Sequence, residues 1–418
     1  MSVAFNSDVN ITVEIAFDSN PLDTSQTYTD VSPFVRSFST NRGRQHALDE
    51  FQTGTMRLVL DNRDDRFNPL NTSSPYYDTA NNVSKIKPFK RVRVKAEYSS
   101  TEYFVFSGFI NAYPESFGGQ GSDSVVQLQC VDAFKMFNLN NISSRAWLIG
   151  RRSSIGENTK LGYGDEQEKS SSRIGRLLDA FGWSSSDRTI STGDLDVITQ
   201  NVDTNMLTAL KEVETAEQGQ LFMGKDGKVI FRDRNFKRTQ QFTSQATFGN
   251  GVGELPFSDV LTSFDESRIF NQIQVTRSGG TTQEAESLDS IEEFGARPQS
   301  LTDTLNVSDL DTSQIAIQRL AQFQDTSPRV EGLVINPLVQ TNLWTQVLGR
   351  ELGDKITVNI PTPANTTMNF DIHIESISHT VDANNQTWSW NISTSAGSEV
   401  GAWILGSSKI GQDTFLAW

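Results

Sequence analysis

The sequence predicts a mainly β protein with an α+β part: two small β-barrel domains flanking a helix-plus-hairpin unit. Three observations carry this. Apolar side chains alternate with polar ones near both ends of the chain, as in Val9, Ile11, Val13, Ile15 and Phe17 and again in Ile356, Val358 and Ile360. That two-residue period belongs to strands with one buried face. Between these regions the spacing turns helical twice, and the second helical run leads straight into residues 221–231, where Asp226-Gly227 signals a hairpin. The 29 glycines, with frequent Ser, Thr and Asn, supply the turns that many short strands need.

The first stretch, 1–145, is expected as a closed or nearly closed barrel. Its strands are read at 9–17, 92–98, 103–110 and 125–130, with another at Met56, Leu58 and Leu60. An arginine-rich loop, Thr40-Asn-Arg-Gly-Arg44, precedes that last strand, and Asp61-Asn-Arg-Asp-Asp65 stops it, because short carbonyl side chains cap backbone amides. Residues 132–139 read as a helical exit. The second stretch, 146–245, begins as a loop or linker to about 168. A helix then carries Ile174, Leu177, Leu178 and Phe181, with Ser170 to Ser172 as caps and Gly182 as the stop. A second helix, about 205–218, ends at Gly219 before the hairpin. The third stretch, 246–400, returns to strands, with helices expected near 313–323 and 343–348 and a polar, acidic loop over 278–312. Residues 401–418 place apolar clusters at both ends of a polar run, the pattern of a docking tail.

At 418 residues, two or three domains are expected. The net charge of -15, from 51 acidic against 36 basic residues, disfavours tight binding to DNA or anionic membranes. One basic run stands apart: Lys85, Lys87, Lys90, Arg91, Arg93 and Lys95, either a solvated strand face or a patch for an acidic partner. The single cysteine, Cys130, excludes an intrachain disulfide and falls on an apolar strand face, as a buried inert thiol does. Neither a charged-then-apolar leader nor an apolar run of bilayer length is present, so folding in a cytoplasm without a membrane segment is expected.

Catalytic and cofactor signals are weak. His373 and His379 lie six apart in a strand region, wider than the usual close ligand pairs, and His46 reads as a hydrogen-bonding histidine. There is no Gly-x-Ser-x-Gly elbow, His-Glu-x-x-His, Cys-x-x-Cys or Gly-Lys-Ser/Thr phosphate loop. Asp61, Asp64 and Asp65 have oxygens for calcium, but the interleaved Arg63 and Arg66 oppose a cation, so a salt-bridged turn is expected. A glycosidase-type carboxylate pair leaves no local signature to recognise. Trp388 and Trp390 share a strand face and suit either a sugar-stacking platform or a core. No enzyme activity, cofactor or metal is expected.

Several strings, in order, resemble the tail-tip or baseplate hub proteins (minor tail proteins) of long-tailed bacteriophages. They are Thr40-Asn-Arg-Gly-Arg44 leading to Leu60-Asp-Asn-Arg-Asp-Asp-Arg-Phe-Asn-Pro-Leu70, then Tyr103-Phe-Val-Phe-Ser-Gly-Phe-Ile110 and Gln129-Cys-Val-Asp-Ala-Phe134. Lys225-Asp-Gly-Lys-Val-Ile-Phe-Arg-Asp-Arg234 resembles the middle domain, and Val347-Leu-Gly-Arg-Glu-Leu-Gly-Asp-Lys-Ile-Thr-Val358 and Ile374-Glu-Ser-Ile-Ser-His379 the second barrel. The resemblance implies a homotrimer at the virion tail tip, with two tube-type barrels per chain alternating into a pseudo-sixfold ring. It would join the tail tube or distal tail protein above to a tip fibre or other baseplate proteins below. The ring would close the channel and open for DNA ejection, genomic DNA passing the lumen without specific binding. Peptidoglycan hydrolysis would fall to other subunits. The alternatives are a distal tail protein, forming a plain hexameric ring, and a receptor- or glycan-binding module. Arg42, Arg44, Phe67, Trp403 and Trp418 are the candidate subunit-interface residues, because arginine and aromatic side chains carry interface energy disproportionately.

Overall fold

In the computed structural model the described residues are 3–5, 9–118, 123–143, 167–198, 203–239, 243–326, 328–396, 401–402 and 414–415. The expected linker at 146–166, Trp403 and Trp418 lie outside them. The mainly β class with an α+β part is what the chain adopts.

The first strands are β1 (Val9–Ile15), β2 (Val35–Gly43), β3 (Gln52–Asp61), β4 (Arg91–Tyr98), β5 (Thr101–Ala112) and β6 (Val125–Val131). Their alternation appears directly as burial: in β3, Met56, Leu58 and Leu60 are buried while Arg57 is exposed. The expected arginine loop is instead the end of β2, and the loop proper begins at Arg44. The Asp61 turn forms as expected, with Arg63 on Asp61 and Arg66 on Asp64.

Helix α1 (Ala133–Leu139) is capped by Asp132, whose side chain accepts from Phe134 N. Next come α2 (Ser170–Phe181), α3 (Met206–Glu217), and the hairpin β7 (Gln220–Met223) and β8 (Val229–Arg232). Ser170 to Ser172 form the first turn of α2 rather than its cap, and Gly182 ends it at φ 85°. Gln218, not Gly219, takes the left-handed position after α3. In the hairpin turn only Gly227 has positive φ, and its N–H donates to Gly224 O at 2.9 Å. This is a longer turn than a two-residue Asp-Gly connection.

The third stretch holds β9 (Asp259–Ser263), β10 (Gln272–Arg277), β11 (Gln283–Glu286), α4 (Leu288–Phe294), β12 (Pro298–Thr304), α5 (Asp309–Phe323), β13 (Arg329–Ile335), α6 (Leu343–Gly349), β14 (Lys355–Pro361), β15 (Thr367–Asp382) and β16 (Thr387–Ala396). The expected acidic loop at 278–312 is therefore largely ordered structure. β11 and β12 flank β10 in a small sheet, on which α5 packs through Ile315 and Ala316 against Ile273 and Val275. Its polarity misled because only one face of this sheet is buried.

The long-range pairing differs most from expectation. The ladder is not closed into two separate barrels. One continuous path runs from residues 3–5 through β1, β4, β5, β6, β3, β2, β15, β16 and β13 to β9. Its seam is β2 with β15, antiparallel from Ser376 opposite Gly43 to Asp382 opposite Ser37. The cores cross the same seam. Trp344, Leu348, Val381 and Trp388 complete the core of the first strands, and Phe51, Phe109, Phe134 and Phe137 join that of the helices and hairpin.

Candidate functional site: a buried ionic junction

Charged side chains from three distant parts of the chain converge where β2 meets β15. Arg42, 4% exposed, donates from Nη2 to Glu351 Oε1 at 2.9 Å and from Nη1 to Met223 O at 3.1 Å. Arg44 Nε donates to Glu375 Oε2 at 2.6 Å, and Arg44 N to the Glu375 carbonyl at 2.9 Å. Lys237 Nζ and Ser395 Oγ take the other carboxylate oxygen, at 3.0 and 2.6 Å. Glu375 is fully buried at an irregularity between Ile374 and Ser376, where β15 loses register with β16. Such a bulge re-aims one side chain. Burial pushes the Glu375 carboxyl up, but Arg44 and Lys237 outweigh it and hold the group well below the ordinary range.

Lys225, in the hairpin turn, makes the second link. Its Nζ donates to Leu348 O, Gly349 O and Arg350 O at 2.6, 3.0 and 3.1 Å, a cation on the carbonyls ending α6. Its backbone N donates to Glu351 Oε2 at 3.2 Å. Burial would raise the Glu351 pKa, but Arg42 and Lys225 lower it overall. Gly43, between the two arginines, has φ +111°, and a Cβ there would stand 2.2 Å from Glu375 O. Only glycine lets β2 and β15 approach so closely.

The histidines are structural. His379 Nδ1 accepts from Trp388 Nε1 at 3.1 Å, and burial, with Arg42 and Lys225 nearby, pulls its pKa down to about 3. His373 Nδ1 lies 3.2 Å from Gly353 O, and burial, then Lys237, brings it to about 3 as well. His46 contacts Arg268 at the surface. Burial pushes the Cys130 thiol up, away from nucleophilic use. Among the described residues no group of three or more His, Cys, Asp or Glu is placed to hold a metal. Trp388 and Trp390 are both in the core, so neither forms a sugar platform.

Of the expected interface residues, Arg42 and Arg44 are therefore committed within the chain. Phe67 is wholly buried, stacked on Tyr76 at 5.5 Å between centroids. The basic run is likewise neutralised internally: Arg93 and Lys95 on Glu14, Arg91 on Asp187 and Lys85 on Asp18. Sequence reasoning missed Glu351, Glu375, Lys225 and Lys237. The legible signal was an acid inside an apolar strand, Glu375 next to Ile374 and close to Ile372 and Ile377.

The fold defines a class: it is a tail-protein fold. The tail protein of Neisseria meningitidis MC58 superposes with a TM-score of 0.57 at 8% identity, over 93% of this chain and 97% of that one. The 43 kDa tail protein of prophage MuSo2 from Shewanella oneidensis gives 0.52 at 10% identity, with the same coverage. No protein-family model matches the sequence. No curated protein matches it either.

Proposed function

We propose that this chain is a structural hub of a phage tail tip, forming a homotrimeric ring that continues the tail tube, closes its channel and opens for DNA ejection. The observation that carries the reading is the match in fold to two tail proteins over nearly the whole of both chains. At such low identity this likeness speaks to the fold, so the role is argued from further features. The ionic junction ties β2, the hairpin and the end of α6 into one body, which suits a part that transmits force rather than one that turns over a substrate. The net charge of -15 suits a channel wall that phosphates slide past. The chain's partners on this reading are its own copies, the tail tube or distal tail protein, and tip proteins, and its place is the virion tail tip. We assign it no catalytic step; clearing of a peptidoglycan suspension by the purified chain would overturn that assignment.

The test is electron-microscopy class averaging of the chain, alone and mixed with assembled tail tubes. A threefold ring with six similar lobes supports the hub. A plain sixfold ring transfers the reading to the distal tail protein. Monomers in both preparations overturn it.

A further inference from the structure

A cleft of ≈ 330 Å³ opens beside the junction, between the loop after β2, the end of α3 and α5. That volume is in the range of small-ligand sites. Arg319 of α5 forms part of its wall. Arg319 Nε donates to Gln218 Oε1 at 2.8 Å and Nη1 to Gln299 Oε1 at 3.0 Å, both neutral amides. No carboxylate is bonded to this guanidinium among the described residues. Burial, with Arg44 adding like-charge repulsion, pulls its pKa down to about 10. A half-enclosed cation satisfied only by amides is poised for an anion, since hydrogen bonds to a charged acceptor are about twice as strong as neutral ones.

The same wall holds a second, independent anomaly. Gln220 is 6% exposed, and neither its amide nitrogen nor its amide oxygen has a hydrogen-bond partner among the described residues. Buried polar groups are nearly always bonded, and leaving one unbonded costs about 1–3 kcal/mol. Acids also line the cleft, Asp49, Glu50, Glu214 and Asp233 among them. Glu214 is held by Lys211 and by Leu221 N. The others keep the local field too weak for a doubly charged phosphate, and favour a singly charged, two-oxygen group.

We propose that this cleft binds a carboxylate, received by the Arg319 guanidinium and the Gln220 amide. The group is presented either by an acidic side chain of a neighbouring protein or by a free polycarboxylate. The inference stands apart from the tail reading, since it rests on the cleft alone.

The test is isothermal titration calorimetry on the full chain with four probes: capped tetraglutamate, citrate, capped tetraglutamine and inorganic phosphate. Saturable heat is expected from tetraglutamate or citrate, with at least a ten-fold loss in Arg319→Gln. Binding of tetraglutamate alone names a protein partner, and of citrate alone a small ligand; both support the site. Gln322→Glu, an exposed change at the cleft, tests the same charge logic should Arg319→Gln fail to fold, and is expected to weaken binding several-fold. Silence from both acidic probes, equal binding of tetraglutamine or phosphate, or unchanged affinity in the variants that fold overturns the proposal.

Discussion

Glu375→Gln removes one negative charge and almost no volume from the centre of the junction. The wild-type carboxylate is fully buried and serves Arg44, Lys237 and Ser395. Glutamine keeps one acceptor oxygen but turns an amide donor toward a cation. Breaking a buried ion pair from one side typically costs about 3–5 kcal/mol, because the remaining charge is left uncompensated. Arg44 and Lys237 retain side-chain exposures of 11% and 21%, so both have some access to water. The lower end, about 3 kcal/mol, is therefore expected. Urea unfolding at pH 7, read by tryptophan fluorescence and far-ultraviolet circular dichroism, gives the loss from the midpoint and slope. Arg44→Met added on top of Glu375→Gln should cost much less than Arg44→Met alone, a coupling of about 1–3 kcal/mol. Asp61→Asn, at an exposed turn pair, is the control and should cost less than about 1 kcal/mol. A Glu375→Gln loss below that control, or no coupling to Arg44, would refute the account of the junction.

Gly43→Ala should be severe, about 3 kcal/mol or more, since φ +111° and a Cβ 2.2 Å from Glu375 O force the seam apart; faster amide exchange in β2 and β15 before other strands is the readout. Lys225→Met strips the cation from three carbonyls after α6 and should cost about 2 kcal/mol in the same urea assay. The pH dependence has a definite sign. His373 and His379, depressed to about 3, lose their contribution as pH falls below the unfolded value of 6.5. Burial raises Asp132 to about 7, so its contribution is full below the unfolded carboxyl pKa and fades as pH rises through 7. Near pH 5 unfolding should thus take up about two protons on the histidines and release about one from Asp132, so stability falls by about 1.4 kcal/mol per unit of acidification. Asp132→Asn should roughly double that slope, measured by urea midpoints from pH 6.5 to 5; an unchanged slope counts against the assignment.

Local order was legible wherever a residue's neighbours in sequence are also its neighbours in space. Alternation in β3 and β16 became burial, Asn205 before α3 became its cap by accepting from Thr208 N, and Gly182 ended α2. The misreadings have specific causes. Thr40-Asn-Arg-Gly-Arg44 looks like a loop by composition, yet Arg42 is pulled into a strand because Glu351 neutralises it, a partner 309 positions away. Residues 278–312 look like solvated loop because their sheet buries one face only, against α5. Arg42, Arg44 and Phe67 fit an interface by residue type, but residue type does not say which surface a side chain meets, and here it is the chain's own interior.

The sequence by itself determined the strand-rich class, the helix-plus-hairpin middle and the resemblance to tail proteins, because strand and helix periods act over two to four residues. Only the tertiary structure decided that the two strand-rich regions share one sheet, that their cores exchange tryptophans and phenylalanines, and that charged groups from three parts of the chain meet around Gly43. The seam joins residues 37–43 to 376–382. A pairing at that separation depends on which strand edges stay open after the local hairpins close and on where a glycine and a buried carboxylate permit close approach. No pattern confined to a few neighbouring residues encodes either condition.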